Sequence, residues 1–243
     1  MATRLDNVVV DAVDPVALAG FWSAALGRTI THQDENEVDV GLPGFDLVFV
    51  PVAEPKTGQN RVHLDLASDS AEDQAAIVDR VLGLGARHID IGQGDVPWVV
   101  LADPEGNEFC VLEPRDEYRG IGPVAAVVVA ARDPLALARF WSEATGRPVS
   151  RIRSDWASLP ADVGAWLEFI ASPSLWEGKN RVHLDVRPLA GDDHAVEVAR
   201  LRSAGAVTAD VGQGDAPWVV LADPEENEFC VLRPAGSSIR TGD

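Results

Sequence analysis

Two stretches of the sequence, GQGDVPWVVLADPEGNEFCVL at 92–112 and GQGDAPWVVLADPEENEFCVL at 212–232, are identical at 19 of 21 positions. The motif NRVHLD precedes each copy, at 60–65 and 180–185, with the same offset of 120 residues. A repeat of this length exceeds a solenoid unit and indicates a duplicated domain. Inside each copy, two apolar runs flank an Asp-Pro-Glu turn sequence, which predicts a β-hairpin.

The order of the apolar patterns predicts that one supersecondary module, βαβββ, recurs along the chain. A β-branched run at 5–13 predicts a strand, Asp14-Pro15 predicts a helix start, and Gly27 predicts its end. Three short strand-like runs follow between 28 and 52. The same strand, helix and three strands recur in each half, so the sequence predicts two βαβββ modules per half and an α+β fold.

Domain limits and partners follow from the repeat and the composition. We expect one domain at 1–118, a second at 119–243, and a linker at 118–123. The net charge of −19 argues against nucleic acid or an anionic membrane as partner. No apolar run is long enough to cross a bilayer, and the start carries no recognisable secretory signal. Two cysteines within predicted strands do not make a disulfide framework, which predicts a reducing, cytoplasmic setting.

Paired βαβββ modules with these motifs resemble the vicinal oxygen chelate superfamily, which contains glyoxalase I, extradiol dioxygenases and the fosfomycin and bleomycin resistance proteins. The details are most similar to its glyoxalase-like domain family: Asp-Pro, then Phe-Trp and a Leu-Gly or Thr-Gly helix end, then NRVHLD, then DPE-x-NEFCVL. The resemblance implies that each domain is a half-open barrel of two modules that binds ligands on the concave side of its sheet. It does not fix the chemistry, because one fold carries unrelated reactions.

The NRVHLD strands supply the candidate catalytic groups. Alternate residues of a strand share a face, so each copy presents an arginine, a histidine and an aspartate together: Arg61, His63 and Asp65, then Arg181, His183 and Asp185. Because the opposite face is apolar and packs on a helix, we expect these polar faces to line the cavity. Either histidine would carry protons, either aspartate would orient it, and either arginine would contact the ligand.

The last strand of each half adds further candidates for ligand contact. Glu108 and Cys110 share a face, as do Glu228 and Cys230. Each cysteine is either a small buried hydrophobic residue or a thiolate whose pKa a nearby arginine or protonated histidine lowers.

Tryptophans are the remaining candidates for a ligand-binding wall. Trp98 and Trp218 follow the GQGD loops and are either core or cavity wall. The second half alone adds Trp156, Trp166 and Trp176. Aromatic walls suit flat apolar ligands, so if one half binds an organic molecule, we expect it to be the second.

The resemblance also bears on whether the chain binds a metal, because metal-ligand positions of the family can be matched to residues of this sequence. Metal-dependent relatives place His on a first strand and Glu on the last strand. The matching residues are Asn7, His63 and Cys110 in the first half, and Ala126, His183 and Cys230 in the second. One ligand of three remains in each set, so no metal and no other cofactor is predicted. A divalent ion stays the alternative, to which Glu168 would add a carboxylate in the second half.

Three functions remain open at this point. The first is an enzyme, a metal-independent lyase or isomerase that uses a histidine as acid and base on a small organic molecule. The second is a binding protein that sequesters a drug-like aromatic compound without turnover, as bleomycin resistance proteins do. The third is a structural or regulatory module with vestigial cavities. A monomer or a homodimer is compatible with each of them.

The turn of the second hairpin carries one anomaly. Gly106 stands where a type I turn closes with a left-handed residue, and the second half has Glu226 in that place. Since the flanking strands are nearly identical, we expect the hairpin to persist with Glu226 in the left-handed region.

Overall fold

The computed structural model of the chain describes residues 3–172 and 178–235. Trp176 lies outside the described residues. So does the tail at 237–243, for which the sequence predicts disorder. The helices within them are α1 (Pro15–Leu26), α2 (Ala71–Gly83), α3 (Pro134–Thr145) and α4 (His194–Ser203), with a short 3-10 helix at Asp116–Tyr118. The strands are β1 (Thr3–Ala12), β2 (Ile30–Gln33), β3 (Val38–Leu42), β4 (Phe45–Pro51), β5 (Val62–Leu66), β6 (Arg87–His88), β7 (Val99–Ala102), β8 (Glu108–Val111), β9 (Val124–Ala131), β10 (Trp156–Leu159), β11 (Trp166–Ala171), β12 (Val182–Pro188), β13 (Val207–Thr208), β14 (Val219–Ala222) and β15 (Glu228–Val231).

The strands form two open sheets. The eight-stranded sheet has the order β13-β14-β15-β12-β1-β4-β3-β2, and the seven-stranded sheet has the order β10-β11-β9-β5-β8-β7-β6. Within a module the first strand runs parallel to the last, as in β1 beside β4 and β5 beside β8. The α+β fold of repeated modules is therefore confirmed.

Each sheet combines one module from each half of the chain. β1 pairs antiparallel with β12, which joins the first module to the fourth. β5 pairs antiparallel with β9, which joins the second module to the third. The expectation that the two modules of one half complete a sheet is corrected by these pairings. β5 and β12 carry the same VHLD sequence, so the local pattern cannot distinguish one strand partner from the other.

The third module departs from the repeat. The first module forms β2 at Ile30–Gln33, whereas the equivalent segment keeps a single bridge between Ser150 and Ser158. The chain then leaves the sheet at Arg151, whose φ is +50°. The third module is therefore βαββ, and the segment that would be its second strand is a loop.

Local signals explain the helices and turns that the sequence predicts. Asp14 caps α1 by accepting a hydrogen bond from the Ala17 backbone N–H, and Gly27 ends the helix at φ +61°. The hairpin turn keeps its shape in both halves, with Gly106 at φ +93° and Glu226 at φ +68°. The prediction that Glu226 adopts the left-handed conformation is confirmed.

Strand β5 has one face that packs in the apolar core and an opposite face that lines a cavity. Val62, Leu64 and Leu66 of β5 are buried in one large apolar cluster with residues of the helices, and His63 and Asp65 lie on the opposite face. This arrangement is the alternation predicted for NRVHLD. In the described part of the chain, every helix is too short or too polar to span a membrane.

Candidate functional site

A cavity of about 800 Å³ lies on the seven-stranded sheet and is lined by both halves of the chain. The first half contributes β5, β7, β8 and the segment that follows β8, while the second half contributes β9, β11 and the loop before β10. The predicted site residues that lie on its wall are His63, Asp65, Trp98, Cys110, Trp156 and Glu168.

His63, Asp65 and Cys110 form one cluster on this wall. The His63 Nε2 atom is 3.4 Å from Asp65 Oδ1, and Asp65 lies beside Cys110 on the paired strands. Asp65 is buried, and within the described residues its Oδ1 makes no hydrogen bond. Burial, and then the Asp65 carboxylate, raises the pKa of the Cys110 thiol. Cys110 is therefore a protonated thiol rather than an activated nucleophile.

Glu168 faces this cluster from the second half. Its Oε1 accepts a hydrogen bond from the Tyr118 hydroxyl at 2.5 Å, and its Oε2 accepts one from Trp156 Nε1 at 3.1 Å. Burial raises the pKa of Glu168, and the nearby Asp65 carboxylate raises it further. Two donors thus hold a buried carboxyl group in a fixed position on the wall that Trp156 forms.

Tyr118 and three arginines of the cavity wall are not among the site residues that the sequence predicts. The sequence predicts Tyr118 to lie in a linker, whereas the structure buries this residue, which is the only tyrosine of the chain. Arg115, Arg151 and Arg153 also line the cavity. A signal for the last two was present, because the equivalent residues of the first half, Thr31 and Gln33, are uncharged.

The arginines of NRVHLD do not line the cavity on the seven-stranded sheet, and their predicted role as ligand contacts stays a prediction; Arg181 borders a separate cavity of about 440 Å³. Arg61 is buried, and its Nη2 donates to the backbone oxygen of Glu225 at 2.9 Å. Arg181 donates from Nη2 to Glu105 Oε2 at 2.7 Å. Each arginine therefore reaches the hairpin turn of the opposite half. The same glutamates accept from the backbone at the start of a helix, as Glu105 does from the Asp14 N–H, so the arginines hold the halves together.

Glu108 and Glu228 also lie away from this cavity, and their predicted ligand contact stays a prediction. Glu108 pairs with Lys56 at 2.5 Å and accepts from the backbone N–H of Asn60 at 3.1 Å. Glu228 accepts from the backbone N–H of Asn180 at 3.2 Å. Both carboxylates fix the loop that enters the NRVHLD strand, and neither borders the cavity on the seven-stranded sheet.

The eight-stranded sheet carries a second copy of the polar cluster. The His183 Nε2 atom is 3.5 Å from Asp185 Oδ1 and 3.7 Å from Cys230 Sγ, and burial raises the pKa of this thiol as well. Trp218 is 39% exposed beside this sheet. Trp166 belongs to the other sheet, where it packs edge-on against Tyr118 behind the cavity wall, with ring centres 5.1 Å apart.

Cross-half pairing changes which residues share a site. Glu168 and Trp156, expected to serve His183, lie on the cavity that contains His63. Asn7, expected beside His63, instead donates to Asp185 at 3.4 Å on the eight-stranded sheet. The tryptophan and the carboxyl group that the second half adds therefore line a cavity that both halves build.

Possible metal ligands converge in each sheet, but their chemistry does not fit the metal that the fold implies. The donor atoms of His63, Asp65 and Cys110 lie within 4.8 Å of one another, as do those of the equivalent cluster. An oxygen-chelating ion prefers imidazole and carboxylate donors. Here one donor of three is a soft thiol, and the Glu168 carboxyl is bound by Tyr118 and Trp156.

Comparison with known proteins agrees with this architecture. The model of the family described as glyoxalase-like domain matches residues 7–112 and again 126–232. Glyoxalase I from Zea mays aligns over 96% of this chain and 92% of its own, at 16% identity and a TM-score of 0.68. A putative dioxygenase from Bacillus subtilis subsp. subtilis str. 168 aligns over 96% of this chain and 86% of its own, at 15% identity and a TM-score of 0.66.

At such identities the structural likeness shows the fold and not the reaction. Among curated protein sequences, none matches the chain significantly. The family match covers both halves, including each NRVHLD strand and each DPE turn. The chain therefore belongs to the glyoxalase-like domain family, as a tandem pair of such domains with the vicinal oxygen chelate fold.

Proposed function

We propose that the cavity on the seven-stranded sheet binds a small organic molecule and that His63 acts on it as acid and base, in a lyase or isomerase reaction that needs no metal. The observation that supports this proposal is the shared cavity of about 800 Å³, in which the His63–Asp65 pair faces Glu168. A cavity of this size suits a ligand of the size of common metabolites.

His63 would remove a proton from a carbon next to a carbonyl group of the ligand and return it at a neighbouring position. Asp65, 3.4 Å from Nε2, would stabilise the imidazolium that forms in between. Tyr118 and Trp156 keep the Glu168 carboxyl in place on the opposite wall, where it would orient the ligand. Cys110 would contribute contact area only, because its thiol stays protonated.

Deuterium exchange tests this chemistry once the ligand is identified by mass spectrometry of small molecules extracted from the purified protein. In D₂O, the wild-type protein should incorporate deuterium into that ligand, as followed by proton NMR. His63→Ala should slow incorporation about 100-fold, which is typical for loss of a general base. His183→Ala is the matched control in the other sheet and should leave the rate unchanged. Equal loss in both variants, or loss only in His183→Ala, would contradict the proposal.

A second candidate is a non-catalytic protein that sequesters an aromatic compound. The aromatic wall of Trp98, Trp156 and the neighbouring Tyr118, together with the protonated thiol, favours it. In that case the wild-type protein would retain its ligand without exchange or conversion. Trp156→Ala would then weaken binding more than His63→Ala does.

We further propose that the protein works in the cytoplasm. Cys110 and Cys230 are buried in different sheets, so they do not form a stabilising disulfide with each other. Free buried thiols of this kind suit a reducing compartment.

A further inference from the structure

The mouth of the cavity is formed by a segment that departs from the internal repeat. In the first module the residues at 30–33 are part of the sheet as β2, whereas in the third module the chain leaves the sheet after Ser150. It does so through Arg151 at φ +50°, a conformation that a residue with a Cβ rarely adopts. Such strain persists where the surrounding structure imposes it, often at functional sites.

The departure places positive charge over the cavity. Arg151 and Arg153 lie on its wall together with Arg115, in a chain whose net charge is −19. Each guanidinium stands over a tryptophan ring. The distances from the guanidinium carbon to the ring centre are 5.8 Å for Arg115 and Trp98, 5.0 Å for Arg151 and Trp166, and 5.9 Å for Arg153 and Trp156.

One of these arginines is available to a ligand. Arg115 is paired with Glu113 at 2.7 Å, and Arg151 is paired with Glu117 at 2.6 Å. Among the described residues, no carboxylate lies within ion-pair distance of Arg153, although Asp155 also lines the mouth. Arg153 is exposed, so its guanidinium is free to bind an anion in the bidentate manner that suits carboxylates.

We infer that the ligand of this cavity is a planar aromatic molecule that carries a carboxylate. Its ring would pack against the tryptophan walls and its carboxylate would bind Arg153 at the mouth. The floor favours the same orientation, because the Asp65 carboxylate, which is paired with His63 at 3.4 Å, would repel a second anion. This inference rests on the proposed use of the cavity and specifies its ligand class.

A titration of the full-length protein with three probes of matched shape tests the ligand class. The probes are 2-naphthoate, the neutral 2-naphthamide and the cationic 2-naphthylmethylamine, each followed by quenching of tryptophan fluorescence. We expect naphthoate to bind about tenfold more tightly than the amide, as one charge-assisted contact would provide. Arg153→Gln should abolish this preference and leave the affinity for the amide within about twofold. Arg28→Gln, at an exposed site outside the cavity, is the control for the change in net charge.

Three results would overturn the inference: tighter binding of the cation, equal affinity for all three probes, or no binding of any probe up to about 1 mM. The measurement separates this inference from the proposed reaction. Loss of the preference for naphthoate refutes the ligand class, whereas undiminished deuterium exchange in His63→Ala refutes the chemistry and leaves the preference untouched.

Discussion

The turn at Glu226 offers a quantitative test of how the duplicated hairpins are built. Glu226 is exposed at φ +68°, and its backbone N–H donates to the Asp223 oxygen at 2.9 Å. A Cβ in this region costs about 1–2 kcal/mol, and glycine costs about 0.5–1 kcal/mol of extra chain entropy on folding. The difference predicts that Glu226→Gly raises the free energy of unfolding by about 0.5–1 kcal/mol.

The reciprocal change should act in the opposite direction and more strongly. A Cβ on Gly106 at φ +93° would lie 3.2 Å from Arg87 Nη2 and 3.8 Å from Lys56 Cδ. Both neighbours are the ends of flexible side chains, so they can move at small cost. Gly106→Glu should therefore lower the free energy of unfolding by about 1 kcal/mol, chiefly through backbone strain.

Urea unfolding followed by tryptophan fluorescence measures both effects as shifts of the midpoint at constant slope. Glu226→Ala is the critical control, because it removes the same negative charge from an acidic chain but keeps the Cβ in the left-handed region. It should leave the midpoint nearly unchanged. If Glu226→Ala stabilises the protein as much as Glu226→Gly does, charge repulsion and not backbone strain is the cause.

Three further predictions concern the domain contact, the half-buried carboxyl group of Asp39 and the metal. Gly164→Ala should destabilise the protein by about 3 kcal/mol in urea unfolding, because the added Cβ would lie 2.1 Å from the Pro43 oxygen. Gly92→Ala is the control, because Gly92 has nearly the same φ with open space around it, and this change should cost only about 1 kcal/mol. Equal costs for the two variants would refute the steric contact. Burial, then Glu37, raises the pKa of Asp39 to about 6, above its value of 3.8 when unperturbed, so the stability that its protonation provides is lost as pH rises through about 6. Asp39→Asn should therefore stabilise by about 1 kcal/mol near pH 8 and by almost nothing below pH 4, and a gain that is the same at both would contradict the raised pKa. Elemental analysis of the dialysed protein should find less than about 0.1 zinc, iron, nickel or manganese ion per chain, and about one ion per domain would show that the thiol-containing clusters do hold metal.

The repeat made most of the fold predictable from the sequence, because each local signal agrees with the next. The cap at Asp14, the helix end at Gly27 and the DPE turns are all where the sequence places them. The pairing of modules was not predictable, since β5 and β12 share the VHLD sequence and offer equivalent edges. Pairing is a property of the whole chain, to which long-range contacts such as that of Arg61 with Glu225 contribute.

The site was predictable only as far as single strands determine it. His63 and Asp65 lie on the face that strand alternation predicts. Glu168 was expected beside the wrong histidine because its partner depends on which module lies next to it in the sheet. Tyr118 and Arg153 lie in segments without periodic pattern, where sequence alone gives no direction to a side chain.

Native mass spectrometry with the retained ligand tests most directly whether both halves build one site. The wild-type chain should carry one ligand, and both Trp98→Ala in the first half and Trp156→Ala in the second should lose it, because both rings line the same cavity. Trp218→Ala, the equivalent of Trp98 beside the other sheet, should keep the ligand. Two ligands per chain, or loss of the ligand in Trp218→Ala with retention in Trp98→Ala, would show that the halves bind separately.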